Sequence, residues 1–462
     1  RSGQVMLALG RLYIMAGRAD SAVQVLAPIT QRAPQFTMGR YLLGHAYLGV
    51  NQPDRAVAEF QEVVTQTPDD VLGRYSLATA YLRAGQPREA AKELQALAKP
   101  LARSPQYHLS LGQVYMALAR WDEATKAVQT AIQLAPDRPQ PYGLLGEIHA
   151  RRGDLARAQA MFSKALEIDP NYTAAHVAKG AIYSQEKKPE EALQEFEEAL
   201  KADPGYHPAI AAKVGALVRA NRIDEAIAFV ESSLKRDERN TRLVYLLGTL
   251  HLRKNDRARA AQDFQRALKV DEGFAPARFQ LARLALGERK EDEAVAQLQR
   301  ILKDQPEHIP AALLLGSLYA RQTRYDLAVG VLEPAVRARP QAAGLTLALA
   351  DVYTKKGQPD QAIARLTPLL AANPGLVQAR MLLGMAQLAK RNPDEAAKQF
   401  EAVNQVNPKI AQNHYYLARA LVARGDVPGA QKAYRQALEL QPGLTQAKME
   451  LAAISGQKVD EQ

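Results

Sequence analysis

PQPYGLLGEIHARRGDLARAQAMFSKALEIDPNY, residues 139–172, is the stretch whose reading decides the fold. Tyr142, Leu145 and His149 fall on one helical stripe, and Ala158, Phe162 and Ala165 on another. Between the stripes Gly153-Asp154 breaks the helix, the glycine as a C-terminal cap and the aspartate as an N-cap. Gly146 and Ala158 lack bulk, so the two helices can approach closely where they cross. Phe162 is expected to fill the space between this unit and the next. Pro170 cannot continue a helix and forces the turn that follows.

The same skeleton recurs from Gly3 to Leu444 as thirteen 34-residue units, starting at 3, 37, 71, 105, 139, 173, 207, 241, 275, 309, 343, 377 and 411. No insertion or deletion interrupts them. Alanine holds one column in every unit, from Ala22 and Ala56 to Ala430. Another column holds Gly10, Gly44, Gly112, Gly146, Gly180, Gly248, Gly316 and Gly384, with tyrosine three residues later in seven units. Proline closes ten units, Pro34, Pro68 and Pro442 among them. The pattern resembles the tetratricopeptide repeat, whose helix–turn–helix unit has this length. That resemblance implies an all-α fold, an α-solenoid wound as a right-handed superhelix over residues 3–444. Each hairpin leaves one apolar face open, and the next hairpin covers it.

Residues 445–455 (TQAKMELAAIS) read as a C-terminal capping helix, with Met449 and Leu451 inward and Lys448 and Glu450 in water. Residues 456–462 read as a frayed tail. The chain starts at Arg1 rather than Met, and Gly3 opens a repeat without a cap, so upstream sequence is expected.

Apolar residues make up 47% and aromatics 6%, a balance of Ala and Leu that suits close-packed helices better than strands. The net charge of +11 is thinly spread: residues 71–104 carry six basic and two acidic side chains, residues 173–206 four and seven. This reads as solvated helix surface, and no nucleic-acid partner is expected. The absence of cysteine excludes disulfides, thiolate metal sites and cysteine nucleophiles. No apolar run reaches the ~18–20 residues of a spanning helix, so no membrane insertion of this segment is expected. The eight histidines show no metal-ligand spacing, and no phosphate loop or nucleophile elbow is present. No catalytic residue, cofactor or metal site is assigned, and the chain does not read as an enzyme.

Unit 207–240 departs most from the pattern, with Val214, Leu217, Ser233 and Glu238 in place of the small residue, tyrosine, alanine and proline. The core leucine is also replaced by Lys179 and Lys213 in consecutive units. Each lysine must reach solvent or find a carboxylate, because a buried unpaired ammonium is costly. A flexible seam or an anion-binding notch is the sharper alternative.

In the family it resembles, the first helices of successive units line a concave surface that takes extended peptides or partner helices. Applied here, the fifth position of each unit points inward and holds Tyr41, Tyr75, Tyr245, Phe279 and Tyr415. Basic residues follow in a row at Arg83, Arg151, Arg219, Arg253 and Arg321, with Arg283 at the ninth position of its unit. Such a strip suits an acidic-aromatic, phosphorylated or otherwise anionic segment, because guanidinium pairs with carboxylate and stacks on rings. The plain alternative is that the rings pack between helices and the arginines are solvated. The family's carboxylate-clamping members use Lys and Asn at the fifth and ninth positions of the first helix, and neither type stands there here.

The expected function is a protein or peptide-binding scaffold, with self-association through the N-terminal end a further expectation. The competing reading is the accessory region of an exopolysaccharide synthesis or export machine, another envelope secretion machine or a glycosyltransferase. The Ala/Leu/Arg-rich, insertion-free style is similar to bacterial envelope arrays, which favours envelope or periplasm over cytoplasm.

Overall fold

The computed structural model describes residues 2–456, and the frayed tail expected over 456–462 lies outside them from residue 457 on. Twenty-seven α-helices follow one another, thirteen pairs and a trailing helix, with no strand among the described residues. The chain divides into two compact units, residues 1–230 and 231–462, the boundary falling inside the helix Ile223–Leu234. Within each, the helices on either side of Ile223–Leu234 pack on their neighbours in order, giving an α-solenoid of helix pairs.

The repeat geometry follows from a few columns. All thirteen column alanines, Ala22 to Ala430, are fully buried. The glycine column is matched by a large side chain sixteen residues later in the same unit. A Cβ on Gly146 would lie 2.6 Å from Phe162 Cε1, and Gly44, Gly180, Gly248 and Gly384 stand in the same way under Phe60, Phe196, Phe264 and Phe400. Phe162 therefore presses first on its own unit's glycine, and then packs with Ala175 and Ile182 of the next. Where the small residue is Ala282 or Ala350, the partner shrinks to Leu298 or Leu366, and all four are fully buried. In the most divergent unit Val214 is matched by Val230, both buried. The balance is not kept in every unit: Gly112 is matched by Val128 and Ala418 by Tyr434, with Val128, Ala418 and Tyr434 all buried.

Every turn between paired helices carries one residue in the left-handed region, at the fifteenth position of the unit. Glycine takes it five times, and Asn51, Asn221 and Asn255 three times. Ala119, Lys187, Arg289, Thr323 and Arg391 take it at a steric cost, Thr323 (φ 56°) the most strained because it is β-branched. After Gly153, Asp154 caps the second helix by accepting from Arg157 N at 3.1 Å.

Two features differ from the sequence reading. The second helix of unit 71–104 stops at Ala96, four residues before Pro100, because a proline ring clashes with the carbonyl four residues back. Tyr107, buried, donates its hydroxyl at 3.1 Å to the Leu94 carbonyl, which also accepts from Leu97 N at 3.0 Å. In the trailing helix Thr445–Ser455 the inward face is Ala447, Leu451 and Ile454, at helical spacing, while Met449 is 57% exposed. Glu450 shares the inner face because Tyr415 and Tyr434 both donate to it. At the other end, the helix Ser2–Met15 leaves Val5, Leu12 and Met15 exposed.

The two lysines in core positions find carboxylates. Lys179 Nζ lies 2.7 Å from Glu195, and Lys213 Nζ lies 2.9 Å from Glu197 and 4.6 Å above the Phe229 ring.

Candidate partner-binding face

First helices touch not only their own second helix but also the first helix of the next unit. This holds for Pro105–Ala117, Pro139–Arg151, Thr173–Gln185 and His207–Arg219, and separately for the series from Ile309–Arg321 to Ala411–Arg424. Among the described residues no two second helices pack on each other to that extent. The first helices therefore stand closer together, forming the inner face of each stack.

The fourth position on these helices joins units. Arg40, Arg74, His108, Tyr142, His176, Arg278, Arg380 and His414 each reach back six residues to a backbone carbonyl of the preceding turn, at 2.6–3.2 Å. Three of the eight histidines are thereby accounted for. His176 also bonds Glu195 through Nδ1 at 2.7 Å, so both ring nitrogens face acceptors. The Glu195 bond pushes the His176 pKa up. Burial acts to raise Glu195, but hydrogen bonds from His176 and Lys179 outweigh it and hold its pKa below the usual value. The regular reach of six residues is visible in the sequence only once the turn geometry is known.

The fifth-position aromatics lie half or fully buried between units. Tyr75 Oη bonds Ser110 Oγ at 2.6 Å, Tyr245 Oη accepts from Gln280 Nε2 at 3.4 Å, and Tyr415 Oη donates to Glu450 at 2.9 Å. Each bond spans 35 residues, from one first helix to the sixth position of the next. Tyr41 packs edge-on against His45 and Phe60, and Phe279 packs against His308. Their visible work is to join successive helices.

Arg83, Arg151, Arg219, Arg253 and Arg321 are each the last residue of a first helix, where a cation complements the helix dipole, and all are exposed. Arg151 is paired with Glu147 at 3.0 Å and Arg321 with Glu291 at 3.4 Å. Arg83 reaches the Leu48 carbonyl, and Arg283, also exposed, reaches Gln280. Arg219 and Arg253 pair with no carboxylate among the described residues. The structure thus keeps aromatics and arginines on first helices, but most of them already have partners inside the chain.

A different feature opens the inner face. At Gly143 the fifth position has no side chain and the Tyr172 ring closes on it, 2.8 Å from where a Cβ would stand; beside it a depression of about 330 Å³ lies across the first helices of units 105, 139 and 173. Leu109, Ala178 and Tyr172 give it an apolar floor, and Gln106, Gln113, Gln140 and Glu147 stand around it. The cleanest repeat, which by its sequence offers least to a ligand, holds this notch. Gly143 itself was the available signal, being the one glycine in a column of Tyr, Leu, Phe and other larger side chains.

Among the described residues no group of three His, Cys, Asp or Glu side chains could hold a metal ion, and no helix is long and apolar enough to cross a membrane.

No curated protein matches the chain. Solved structures do, at the level of fold. The Cut9–Hcn1 hetero-tetramer of APC/C aligns over 98% of this chain and 96% of its own, with 15% identity and a TM-score of 0.39. A thermophilic tetratricopeptide repeat protein of Thermus thermophilus aligns over 39% and 99%, with 21% identity and a TM-score of 0.37. MamA from Desulfovibrio magneticus aligns over 37% and 97%, with 20% identity and a TM-score of 0.34. Sequence models of the tetratricopeptide repeat match residues 3–28, 47–114, 106–171, 144–207, 183–250, 251–318, 347–409 and 411–444. Those spans cover most of the chain, which belongs to the tetratricopeptide repeat family.

Proposed function

We propose that this protein is an interaction scaffold that takes an extended segment of a partner protein on its first-helix face, with the notch at Gly143 as the seat. The observation that carries the reading is the pairing of an apolar floor with a ring of amides at that notch. Glutamine side chains offer both donor and acceptor, so they can bond the N–H and C=O groups of an extended backbone without demanding one side-chain sequence. Leu109, Ala178 and Tyr172 would take one apolar side chain of the segment. The exposed arginines ending neighbouring first helices, Arg83, Arg151 and Arg219, add attraction for acidic groups flanking that side chain. Arg253, Arg283 and Arg321 play the same part within the second unit. The fifth-position aromatics Tyr41, Tyr75, Tyr245, Phe279 and Tyr415 contribute by fixing the spacing of the helices and by any ring edge left open.

The test fills the notch. Gly143→Leu, which must push the Tyr172 ring into the notch, or Gln113→Ala with Gln140→Ala, is expected to cut partner affinity roughly tenfold or more, the scale of losing two or three interface hydrogen bonds. Full affinity in both variants, with folding intact by hydrogen exchange, removes the notch from the binding face.

A further inference from the structure

We propose that a second pocket, at Ala285, docks the phenol ring of a tyrosine side chain carried by a partner protein, a reading that rests on the scaffold function above. The eleventh position of each unit is tyrosine in seven units, and elsewhere histidine, leucine or glutamine. Ala285 is the one member of that column with nothing beyond Cβ. A cavity of about 620 Å³ opens at Ala285, floored by Leu268, Leu281 and Leu284 and wholly within the second unit. That volume is in the range of ligand pockets. Its counterpart at His251, where the column residue is also smaller than tyrosine, is about 370 Å³.

The repeats themselves show what such a slot holds. At two of the seven tyrosines the hydroxyl accepts from a glutamine twenty residues earlier, on the preceding second helix: Gln61 to Tyr81 at 2.7 Å and Gln299 to Tyr319 at 2.8 Å. Gln265 stands at that distance from Ala285 and lines the cavity. At four of the seven tyrosines a cation five residues later lies over the ring. Arg18 does so on Tyr13, Arg120 on Tyr115, Lys188 on Tyr183 and Arg324 on Tyr319, at 4.7–5.8 Å. Lys290 stands at that position for Ala285 and also lines the cavity. The match with unit 173–206 extends further. There Lys188 pairs with Glu186 at 2.8 Å beside Tyr183; here Lys290 pairs with Glu288 at 2.8 Å beside the missing ring. The apolar floor, the amide for the hydroxyl and the cation for the ring face are all in place, and only the phenol is absent. A ring entering from outside gains the burial, the hydrogen bond and the cation–π contact that the internal tyrosines enjoy.

The experiment titrates the protein with p-cresol, with toluene, and with the pentapeptide Gly-Gly-Tyr-Gly-Gly, reading the methyl resonances of Leu281 and Leu284. Saturable shifts are expected with p-cresol, at roughly threefold or greater affinity over toluene because only p-cresol can accept from Gln265. Gln265→Leu is expected to erase that preference while leaving toluene binding in place. Ala285→Tyr is expected to abolish binding of all three probes and to raise hydrogen-exchange protection in helices Ala275–Gly287 and Glu291–Asp304. The pentapeptide is expected to bind at least as well as p-cresol. Absence of saturable shifts, equal binding of p-cresol and toluene, or lowered protection in Ala285→Tyr overturns the proposal. Binding of p-cresol with exclusion of the pentapeptide also overturns it, since the slot then takes free phenols rather than a partner's side chain. No partner protein is needed, so failure here leaves the notch at Gly143 standing, and loss of the notch leaves the Ala285 titration to be read independently.

Discussion

Replacing Gly146 by alanine sets a Cβ 2.6 Å from Phe162 Cε1, a separation that real contacts do not show, so either the ring or the helix must move. Helix propensity favours the alanine by about 1 kcal/mol, but overpacking a close-packed site costs about 1–3 kcal/mol. The single variant is therefore expected to lose up to about 2 kcal/mol. Phe162→Leu alone removes buried ring atoms above a glycine and is expected to cost about 1–2 kcal/mol, less than truncation to alanine. The double variant recreates the Ala282–Leu298 and Ala350–Leu366 pairs, both fully buried, and should recover about 1–2 kcal/mol of the summed loss. Gly330→Ala is the control: it is also a helical glycine, but no atom lies within 4 Å of its would-be Cβ, so it should gain about 1 kcal/mol. A repeat array does not unfold as one two-state unit, so the readout is native-state hydrogen exchange in helices Pro139–Arg151 and Leu155–Ile168. Additivity of the two single changes within about 0.5 kcal/mol, or a gain in Gly146→Ala equal to the control's, refutes the small–large pairing.

Thr323→Gly relieves a β-branched residue at φ 56° and is expected to stabilise its hairpin by about 0.5–1 kcal/mol after the entropy cost of glycine, measured by exchange in helices Ile309–Arg321 and Tyr325–Ala338. His176, raised above its ordinary 6.5 by the Glu195 bond, contributes stability that is full below that value and is lost as pH rises through the raised one. Glu195, held below its ordinary 4.5, contributes above that value and fades on acidification, so protection of Thr173–Gln185 should peak between the two ordinary values. His176→Gln should flatten the alkaline limb of that profile; an unchanged profile contradicts the assignment. Tyr75→Phe removes the bond to Ser110 and is expected to cost about 1 kcal/mol of local protection without changing the fold, as seen by exchange in Pro105–Ala117.

Much of this architecture was legible because it rests on composition repeated at a fixed spacing. Alanine at every crossing and proline after most second helices announce the helix pairs before any coordinate is known. What stayed hidden depends on phase and reach. The trailing helix has alanines on several sides, so Met449 and Glu450 could not be assigned to outer and inner faces by hydrophobicity alone; two tyrosine hydroxyls decide it. The break at Ala96 follows from one proline, yet Pro28, Pro334 and Pro368 lie inside helices that continue, so residue identity alone does not locate a break. The fifth-position aromatics lie on first helices, but the hydroxyls of Tyr75, Tyr245 and Tyr415 turn to the neighbouring helix, and 35-residue hydrogen bonds carry no signature in a single sequence. The two cavities lie beside positions where a column loses its side chain, Gly143 and Ala285, and those gaps were readable in the repeat pattern, though not that the Tyr172 ring closes on Gly143.

The most direct test of the scaffold reading places a photo-crosslinking benzophenone side chain at Gln113 beside the notch, and, in a second protein, at Gln133 on the exposed face of the second helix Trp121–Leu134. Expected is a discrete partner adduct from the Gln113 site that Gly143→Leu suppresses, with none from Gln133. Adducts of equal yield from both sites, or from Gln133 alone, contradict a partner seated on the first-helix face.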